Sequence, residues 1–345
     1  MQYLILPFAL AVFIALLATP AVRKWSLHYN VMDLPGDKRR VHKKPIPLAG
    51  GLAIYLALIS SSLIFLPLSR GTLGYIVGAT IIVLTGLYDD KYNMAAKTKF
   101  ALQIVAALAL ILIGDVNINF FTNPFYGQDT LISLEAMSLP ITLFWMVGIT
   151  NTINLIDGLD GLATGISMIA AISLMLIAHR FSYLEIAVLS AILAGGCLGF
   201  LPYNFNPAKI FLGDTGALLL GFSLSFIAVE GVMKSAAILT ILLPVLILGV
   251  PIFDTTFAMI RRKMAGRSIV SPDKGHLHHR LLHRGLSQRQ TVLALYLVTA
   301  IFGLIANLIS QMNAKNGLIT SIIIVGGIGI LALMLGLLHD KEDES

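Results

Sequence analysis

Asn151-Thr152-Ile153-Asn154-Leu155-Ile156-Asp157-Gly158-Leu159-Asp160-Gly161-Leu162 closes one long apolar segment, residues 138–156, and opens the next, residues 162–179. It sets Asn151, Asn154, Asp157 and Asp160 at the mouth of segments that otherwise suit lipid. Polar and ionisable groups at a membrane boundary are costly unless they meet one another, a cation or a polar ligand. The stretch therefore reads as the edge of a functional site in a membrane-spanning bundle.

Working outward, composition points the same way. Of 345 residues 57% are hydrophobic and 12% charged, and the mean hydropathy is +0.86, too apolar to cover a soluble surface. About eleven apolar segments of roughly 15 to 23 residues can be placed, lengths that as helices satisfy every backbone group inside lipid. They lie at 4–22, 51–67, 73–88, 100–114, 138–156, 162–179, 184–201, 215–232, 235–257, 291–310 and 318–338. The expected fold is all-α: a polytopic integral membrane protein of about 11 transmembrane helices, organised as a single domain over residues 1–345.

With the N-terminus outside, alternate loops share the 24 Lys and Arg residues unevenly, and only Arg70, Arg180, Lys234 and Lys315 fall outside. This positive-inside asymmetry places the C-terminus and the loops 23–49, 89–99, 151–162, 204–214 and 258–290 on the cytoplasmic face of the inner (plasma) membrane. The first segment has Arg23 and Lys24 behind it rather than basic residues ahead, so it reads as a retained helix and not a cleaved leader. Cys197 sits among Gly195, Gly196 and Gly199, which suits close helix packing. The outer stretch 115–136 reads as a short hairpin or amphipathic piece, and the acidic tail 340–345 as solvated.

The chemistry lies in carboxylates. Asp89 and Asp90 end the third segment, and neighbouring aspartates repel unless a cation or donor stands by; Lys91, Lys97 and Lys99 are the candidates. A solvated helix end is the plain alternative. Asn154, Asp157 and Asp160, spaced by three, share a helix face or gather at a break allowed by Gly158 and Gly161. Oxygen ligands without cysteine suit Mg2+, with Mn2+ as second choice, bound through one or two carboxylates and completed by water and phosphates. Helix capping is the alternative there. Asp214, in Phe211-Leu212-Gly213-Asp214-Thr215-Gly216, either caps the eighth segment or reaches a metal that bridges a pyrophosphate; the two roles are compatible.

Two basic loops complete the set. In the long inner loop Ser271-Pro272 reads as a helix start, which would put His276, His279, Arg280 and His283 on one face. Such donors suit anionic phosphates and sugar hydroxyls, against a solvated interfacial face or zinc. The first inner loop holds Lys38, Arg39, Arg40, His42, Lys43 and Lys44 ahead of Pro45 and the pair Gly50-Gly51. Basic residues beside a span attract anionic headgroups, on the order of 1 kcal/mol each. Running into a Gly-Gly helix start, the loop would also suit docking of a lipid phosphate.

Taken in order, Asp89-Asp90, 151–162, 211–216, Pro251-Ile252-Phe253-Asp254-Thr255 and His276-Leu277-His278-His279 resemble the polyprenyl-phosphate N-acetylhexosamine-1-phosphate transferases, of the WecA and TagO type and related to MraY. The resemblance covers nearly the whole chain, and eleven spans look more like the WecA type than the ten of MraY. It implies transfer of N-acetylglucosamine 1-phosphate from UDP-GlcNAc to undecaprenyl phosphate, giving undecaprenyl-pyrophosphoryl-GlcNAc and UMP. UDP-GalNAc or UDP-MurNAc-pentapeptide are the alternative donors. The product would open an O-antigen, teichoic acid or other envelope glycan. By motif, Asp89 and Asp90 are implied as catalytic, and Asp214, Asn154 and Asp157 as magnesium ligands. Asp160, Gly158, Leu159, Asn204 and Phe211 resemble the nucleotide pocket. His276, His278, His279 and Arg280 resemble the sugar and pyrophosphate segment, and the His-x-His-His form favours N-acetylglucosamine. Arg39, His42, Lys43 and Lys44 are the lipid-phosphate candidates. Where the family often carries a charged residue, this chain has Asn93. The implied partners are the UDP-sugar, the polyprenyl phosphate, membrane lipid and a second copy in a homodimer, with no nucleic acid.

A phosphomonoester has a second pKa near 6, so a lipid phosphate is largely dianionic at neutral pH and can attack without a general base. Asp89 would position it while Asp214 holds the metal; a covalent aspartyl-phosphate is the alternative route. A transporter or flippase is the rival class, as is a sensor that binds nucleotide sugar without turnover. A transport path should carry ionisable residues near the bilayer midplane, whereas Glu230 lies towards the outer end and Asp254 towards the inner.

Overall fold

The computed structural model describes residues 1–33, 45–122, 131–233, 241–268, 275–312 and 314–334. The chain is helical throughout: α1 (Gln2–His28), α2 (Gly51–Phe65), α3 (Arg70–Tyr92), α4 (Ala96–Gly114), α5 (Ser138–Ile156), α6 (Leu162–Arg180), α7 (Leu184–Asn204), α8 (Gly213–Ala228), α9 (Leu242–Ile247), α10 (Gly249–Met264), α11 (Leu277–His283), α12 (Gln288–Ile309) and α13 (Ala314–Met334). Among the described residues nine helices are long and apolar enough to cross a membrane, which agrees with a polytopic all-α protein. Two expected spans differ. The 51–67 segment forms the 15-residue α2, which at about 1.5 Å per residue falls short of a bilayer core of about 30 Å. The described part of the 235–257 segment breaks at Leu248 into α9 and α10, where Pro251 lacks the donor that would bond the Ile247 carbonyl. Its residues 235–240 lie outside the described residues.

Apart from helices there are, among the described residues, two short hairpins. Strand β1 (Met32–Asp33) pairs antiparallel with β2 (Ile46–Pro47), with Met32 opposite Pro47. Strand β3 (Phe120–Thr122) pairs with β4 (Leu131–Ser133), Phe121 opposite Ile132, so the stretch 115–136 contains the short hairpin expected of it.

The core forms around α8, almost wholly buried and packed by α3, α5, α2 and α6. An apolar helix studded with small residues lets neighbouring backbones close in. A Cβ on Gly221 would lie 2.6 Å from Thr150 Cα in α5, and Tyr75 of α3 bonds the Ser223 hydroxyl at 2.7 Å. The glycines around Cys197 work similarly, since a Cβ on Gly199 would lie 2.3 Å from the Val12 carbonyl of α1. The C-terminal ends of α3 and α5 and the N-terminal ends of α4 and α8 meet at one end of this bundle, and the site is built there.

Candidate active site

Although adjacent in sequence, Asp89 and Asp90 lie about 100° apart around α3, as neighbours on a helix must, and their surroundings differ. Asp90 turns into α8: one carboxylate oxygen accepts the Asp214 amide at 2.7 Å, and the other accepts the Thr215 amide at 3.1 Å and its hydroxyl at 2.5 Å. These are orphan donors of the first turn of α8, so Asp90 acts as a cap supplied from another helix. The approach depends on Gly213, whose φ is +71° and where a Cβ would stand 2.5 Å from Asp90 Oδ2. Asp89 instead faces the cavity and accepts the Met94 amide at 2.5 Å. Asn93 makes that bond. It closes α3 in a left-handed conformation with φ 54°, which asparagine tolerates better than most residues, and so swings the next amide back onto Asp89.

Lys99, from the first turn of α4, joins the two functional carboxylates. Its Nζ lies 2.8 Å from Asp89 Oδ2 and 2.7 Å from Asp214 Oδ2. The other oxygen of Asp214 accepts the Asn154 side-chain amide of α5. One turn along α4 from Lys99, the buried Gln103 forms a reciprocal amide pair with Asn151, of which Asn151 Nδ2 to Gln103 Oε1 is 2.6 Å. Asn151 also donates to the Val147 carbonyl at 2.8 Å. A buried amide pair in an apolar interface fixes the register of the two helices, here the helices that deliver Lys99 and Asn154 to Asp214.

Beyond α5 the chain turns through 157–161. Asp160 Oδ2 accepts the Asn206 side-chain amide and the Ala208 backbone amide, both at 3.0 Å, and Asn206 continues to Gln288 Oε1 at 2.7 Å. Asn204 is spent internally, accepting the Thr164 hydroxyl at 2.8 Å and donating to the Ile210 carbonyl at 3.2 Å. Phe211 is placed by backbone pairing, its amide donating to the Pro47 carbonyl at 2.8 Å. The pair Gly50-Gly51, at the helix start that the basic loop runs into, is closely packed. Phe200 sits against Gly50, and a Cβ on Gly51 would lie 2.1 Å from Gly216 Cα.

These elements enclose a cavity of about 580 Å³ lined by every expected residue of the catalytic, metal and nucleotide sets: Asp89, Asp90, Asn154, Asp157, Gly158, Leu159, Asp160, Asn204, Phe211 and Asp214. Asp33, Asn206 and Gln288 join them. Burial, and after it the carboxylates of Asp214, Asp90 and Asp160, push Asp157 up to about 8. The donor set fits Mg2+. Among the described residues no three His, Cys, Asp or Glu side chains form a ready-made cluster, but magnesium usually takes only one or two carboxylates and fills its shell with water and phosphate. Asp157 and Asp214 supply those two, Asn154 a neutral oxygen, and the negative charge crowded around Asp157 favours a cation there.

The histidine segment stands beside this cavity rather than in its lining. His276 is not on a helix face as the Ser271-Pro272 start would have made it; it caps α11 in an extended conformation, ψ 151°, because Asp254 of α10 holds both its Nδ1, at 2.9 Å, and the Leu277 amide, at 2.7 Å. Ser271 and Pro272 lie outside the described residues, as do Arg39, His42, Lys43 and Lys44. His278 packs on the 157–161 turn: a Cβ on Gly158 would lie 2.4 Å from its Nε2. Burial, then His279, hold His278 down to about 3. Within α11, Arg280 donates to the Gly275 carbonyl at 2.9 Å, and the His279 ring lies 4.3 Å from that of His278.

Lys99, one of three lysines expected to serve the aspartate pair, is the one that reaches Asp89, whereas sequence reasoning missed its bond to Asp214 and the roles of Asp254, Asn206, Gln288 and Asp33. For Lys99 a signal existed: Gln103, a polar residue in an apolar helix, marks the α4 face that Lys99 shares four positions earlier. Asn206 and Gln288 are ordinary polar residues until the loop and α12 are brought together, and nothing in their local sequence marks them.

A family profile described as glycosyl transferase family 4 matches residues 72–232. A probable undecaprenyl-phosphate N-acetylglucosaminyl 1-phosphate transferase of Bacillus subtilis is 40% identical, over 98% of this chain and 94% of the relative. A decaprenyl-phosphate N-acetylglucosaminephosphotransferase of Mycobacterium tuberculosis is 36% identical over 94% and 87% of the two chains. A phospho-N-acetylmuramoyl-pentapeptide-transferase of Acetivibrio thermocellus is 29% identical over 86% and 91%.

Proposed function

We infer the reaction from one premise: this chain belongs to the polyprenyl-phosphate N-acetylhexosamine-1-phosphate transferases of glycosyl transferase family 4. It transfers N-acetylglucosamine 1-phosphate from UDP-GlcNAc to undecaprenyl phosphate and releases UMP, as the first membrane step of an envelope glycan. The observation that carries this is the aspartate-lined cavity at the mouth of α3, α5 and α8, with Asp214 held between Lys99 and Asn154. The sugar is supported by the relatives. Those named for N-acetylglucosamine are 36% and 40% identical, and the muramoyl-pentapeptide relative 29%.

In this reading the cavity faces the cytoplasm of the plasma membrane. Asp214 and Asp157, with the Asn154 carbonyl, hold Mg2+, which when bound neutralises phosphate charge and lets two anions approach. Lys99 keeps Asp89 and Asp214 at a fixed separation, so their geometry is set before substrate arrives. Asp89 orients the lipid phosphate, whose oxygen attacks the phosphorus next to the sugar as the bond to UMP breaks. Asp90 acts by fixing the α8 terminus that carries Asp214. The 157–161 turn, with Phe211, receives the uridine. Arg39, His42, Lys43 and Lys44, outside the described residues, are proposed as the lipid-phosphate contact on the basic character of their loop. The homodimer expected from the resemblance belongs to the same proposal.

The test is UMP release by purified protein with undecaprenyl phosphate, UDP-GlcNAc and Mg2+, repeated with EDTA and with UDP-GalNAc and UDP-MurNAc-pentapeptide. UMP that requires the lipid and the metal and is fastest with UDP-GlcNAc is expected. Binding of UDP-GlcNAc with no UMP from any donor would overturn the reading.

A further inference from the structure

Away from the aspartate cavity, a second carboxylate is committed to one histidine. Asp254 is 4% exposed and His276 6%. The carboxylate divides its work: Oδ2 meets the His276 ring at Nδ1, 2.9 Å, and Oδ1 takes the Leu277 backbone amide, 2.7 Å. A carboxylate only accepts, so the ring nitrogen facing it carries the proton. Which nitrogen of a histidine is left for a ligand follows from the bond its other nitrogen makes. The contact is also joined to the cavity. The His276 and His278 rings stack with centroids 5.9 Å apart and planes 11° from parallel, and His278 Nε2 lies on Gly158 of the cavity lining.

We propose that Asp254 is a positioning residue that fixes His276 in its Nδ1–H form, which leaves Nε2 as the acceptor, and ties the start of α11 to α10, so that the histidine segment is held in place beside the sugar-phosphate cavity. The inference rests on the transferase reading given above. The two halves of the role separate chemically. Asparagine at 254 keeps an acceptor for the Leu277 amide but turns an NH2 towards His276 Nδ1, which satisfies it only with the opposite tautomer. Leucine removes both contacts.

The experiment compares Asp254→Asn, Asp254→Leu and Asp254→Glu by UMP release, thermal stability and 15N spectra of histidine-labelled protein, with His276→Gln identifying the His276 signals. Asp254→Asn is expected to keep the wild-type melting temperature, move the ring proton from Nδ1 to Nε2, and lose about 10- to 100-fold in kcat/KM, the size seen when the partner orienting a histidine is removed. Asp254→Leu should lose stability as well, and Asp254→Glu should regain part of the activity with the Nδ1–H signal. Wild-type kinetics in Asp254→Asn, or an Nε2–H signal from His276 in the wild type, would overturn the inference. The wild-type spectrum decides even where a variant does not fold. Absence of UMP from wild-type protein would instead sink the transferase reading, which the spectra do not depend on.

Discussion

Replacing Asp90 by asparagine separates positioning from chemistry. The carboxylate accepts three donors from the first turn of α8, at 2.7, 3.1 and 2.5 Å. An amide has one acceptor oxygen, so at least one bond to the ionised group is lost, about 1.5–3 kcal/mol. Loss of the negative charge at a helix N-terminus adds about 0.3–2 kcal/mol, the upper end applying to partly buried sites. Removing a charge close to Asp214 returns some of this, on the order of 1–3 kcal/mol at a typical effective dielectric, leaving a net cost of about 2 kcal/mol. At roughly 2 °C per kcal/mol for a chain larger than 250 residues, the melting temperature in detergent should fall by about 4 °C. The α8 terminus carries Asp214, and a displacement of about 1 Å in a reacting arrangement can cost about 100-fold. UMP release should therefore drop about 100-fold without vanishing. Asp90→Asn with an unchanged melting temperature and no measurable turnover would refute the reasoning, for it would mean that the carboxylate acts in the chemistry. Wild-type turnover would refute it from the other side.

Other consequences can be measured on the same preparation. Lys99→Met leaves Asp89 and Asp214 without their shared cation and should cut UMP release at least about 100-fold, in the range for removing a preorganised charged contact; Lys99→Arg should retain more, and equal loss in both would refute the bridging role. Gly213→Ala puts a Cβ 2.5 Å from Asp90 Oδ2 at a φ of +71°, a conformation costing roughly 1–2 kcal/mol for a non-glycine residue, so both melting temperature and turnover should fall. His278 is held down to about 3 from an ordinary 6.5, so between those values the unfolded segment takes up a proton that the folded one refuses. Its contribution is complete above pH 6.5 and is lost as pH falls towards 3. Hydrogen exchange over 275–285, corrected for intrinsic rates, should show α11 loosening at pH 5 relative to pH 7.5, and His278→Gln should abolish the difference.

Much of this fold was legible because lipid forces every backbone group to be satisfied within its own helix, so each long apolar segment had to be one. The exceptions are physical. Pro251 leaves hydropathy intact while removing a donor, so 235–257 read as one span, whereas its described residues form two helices that break at Leu248. The site was legible as a set of residues and not as a division of labour. Asp89 and Asp90 are indistinguishable in sequence, both line the cavity, and only the packing of α8 on α3 decides which meets Lys99 and which caps a helix. Likewise Lys91, Lys97 and Lys99 were equal candidates to serve the pair until the Gln103–Asn151 contact fixed the rotation of α4. His276 was read onto a helix face because a Ser-Pro start lies upstream; a carboxylate 22 residues away holds it in extended backbone instead, a pairing that helical periodicity does not encode.

The charge of the cavity sets the order in which it can be filled. Its lining carries Asp33, Asp89, Asp90, Asp157, Asp160 and Asp214 and, among the described residues, no Lys or Arg, while both proposed substrates are anions. Lys99 touches Asp89 and Asp214 and offsets only part of this. Asp157 records the excess, since three of these neighbouring carboxylates, after burial, keep it protonated to about 8. A proton there occupies charge space that a divalent cation would otherwise take. Binding of metal or of a metal-bound sugar nucleotide must then release that proton, and the pocket becomes receptive to the second anion only afterwards. Nucleotide sugar with its metal should accordingly enter before the lipid phosphate.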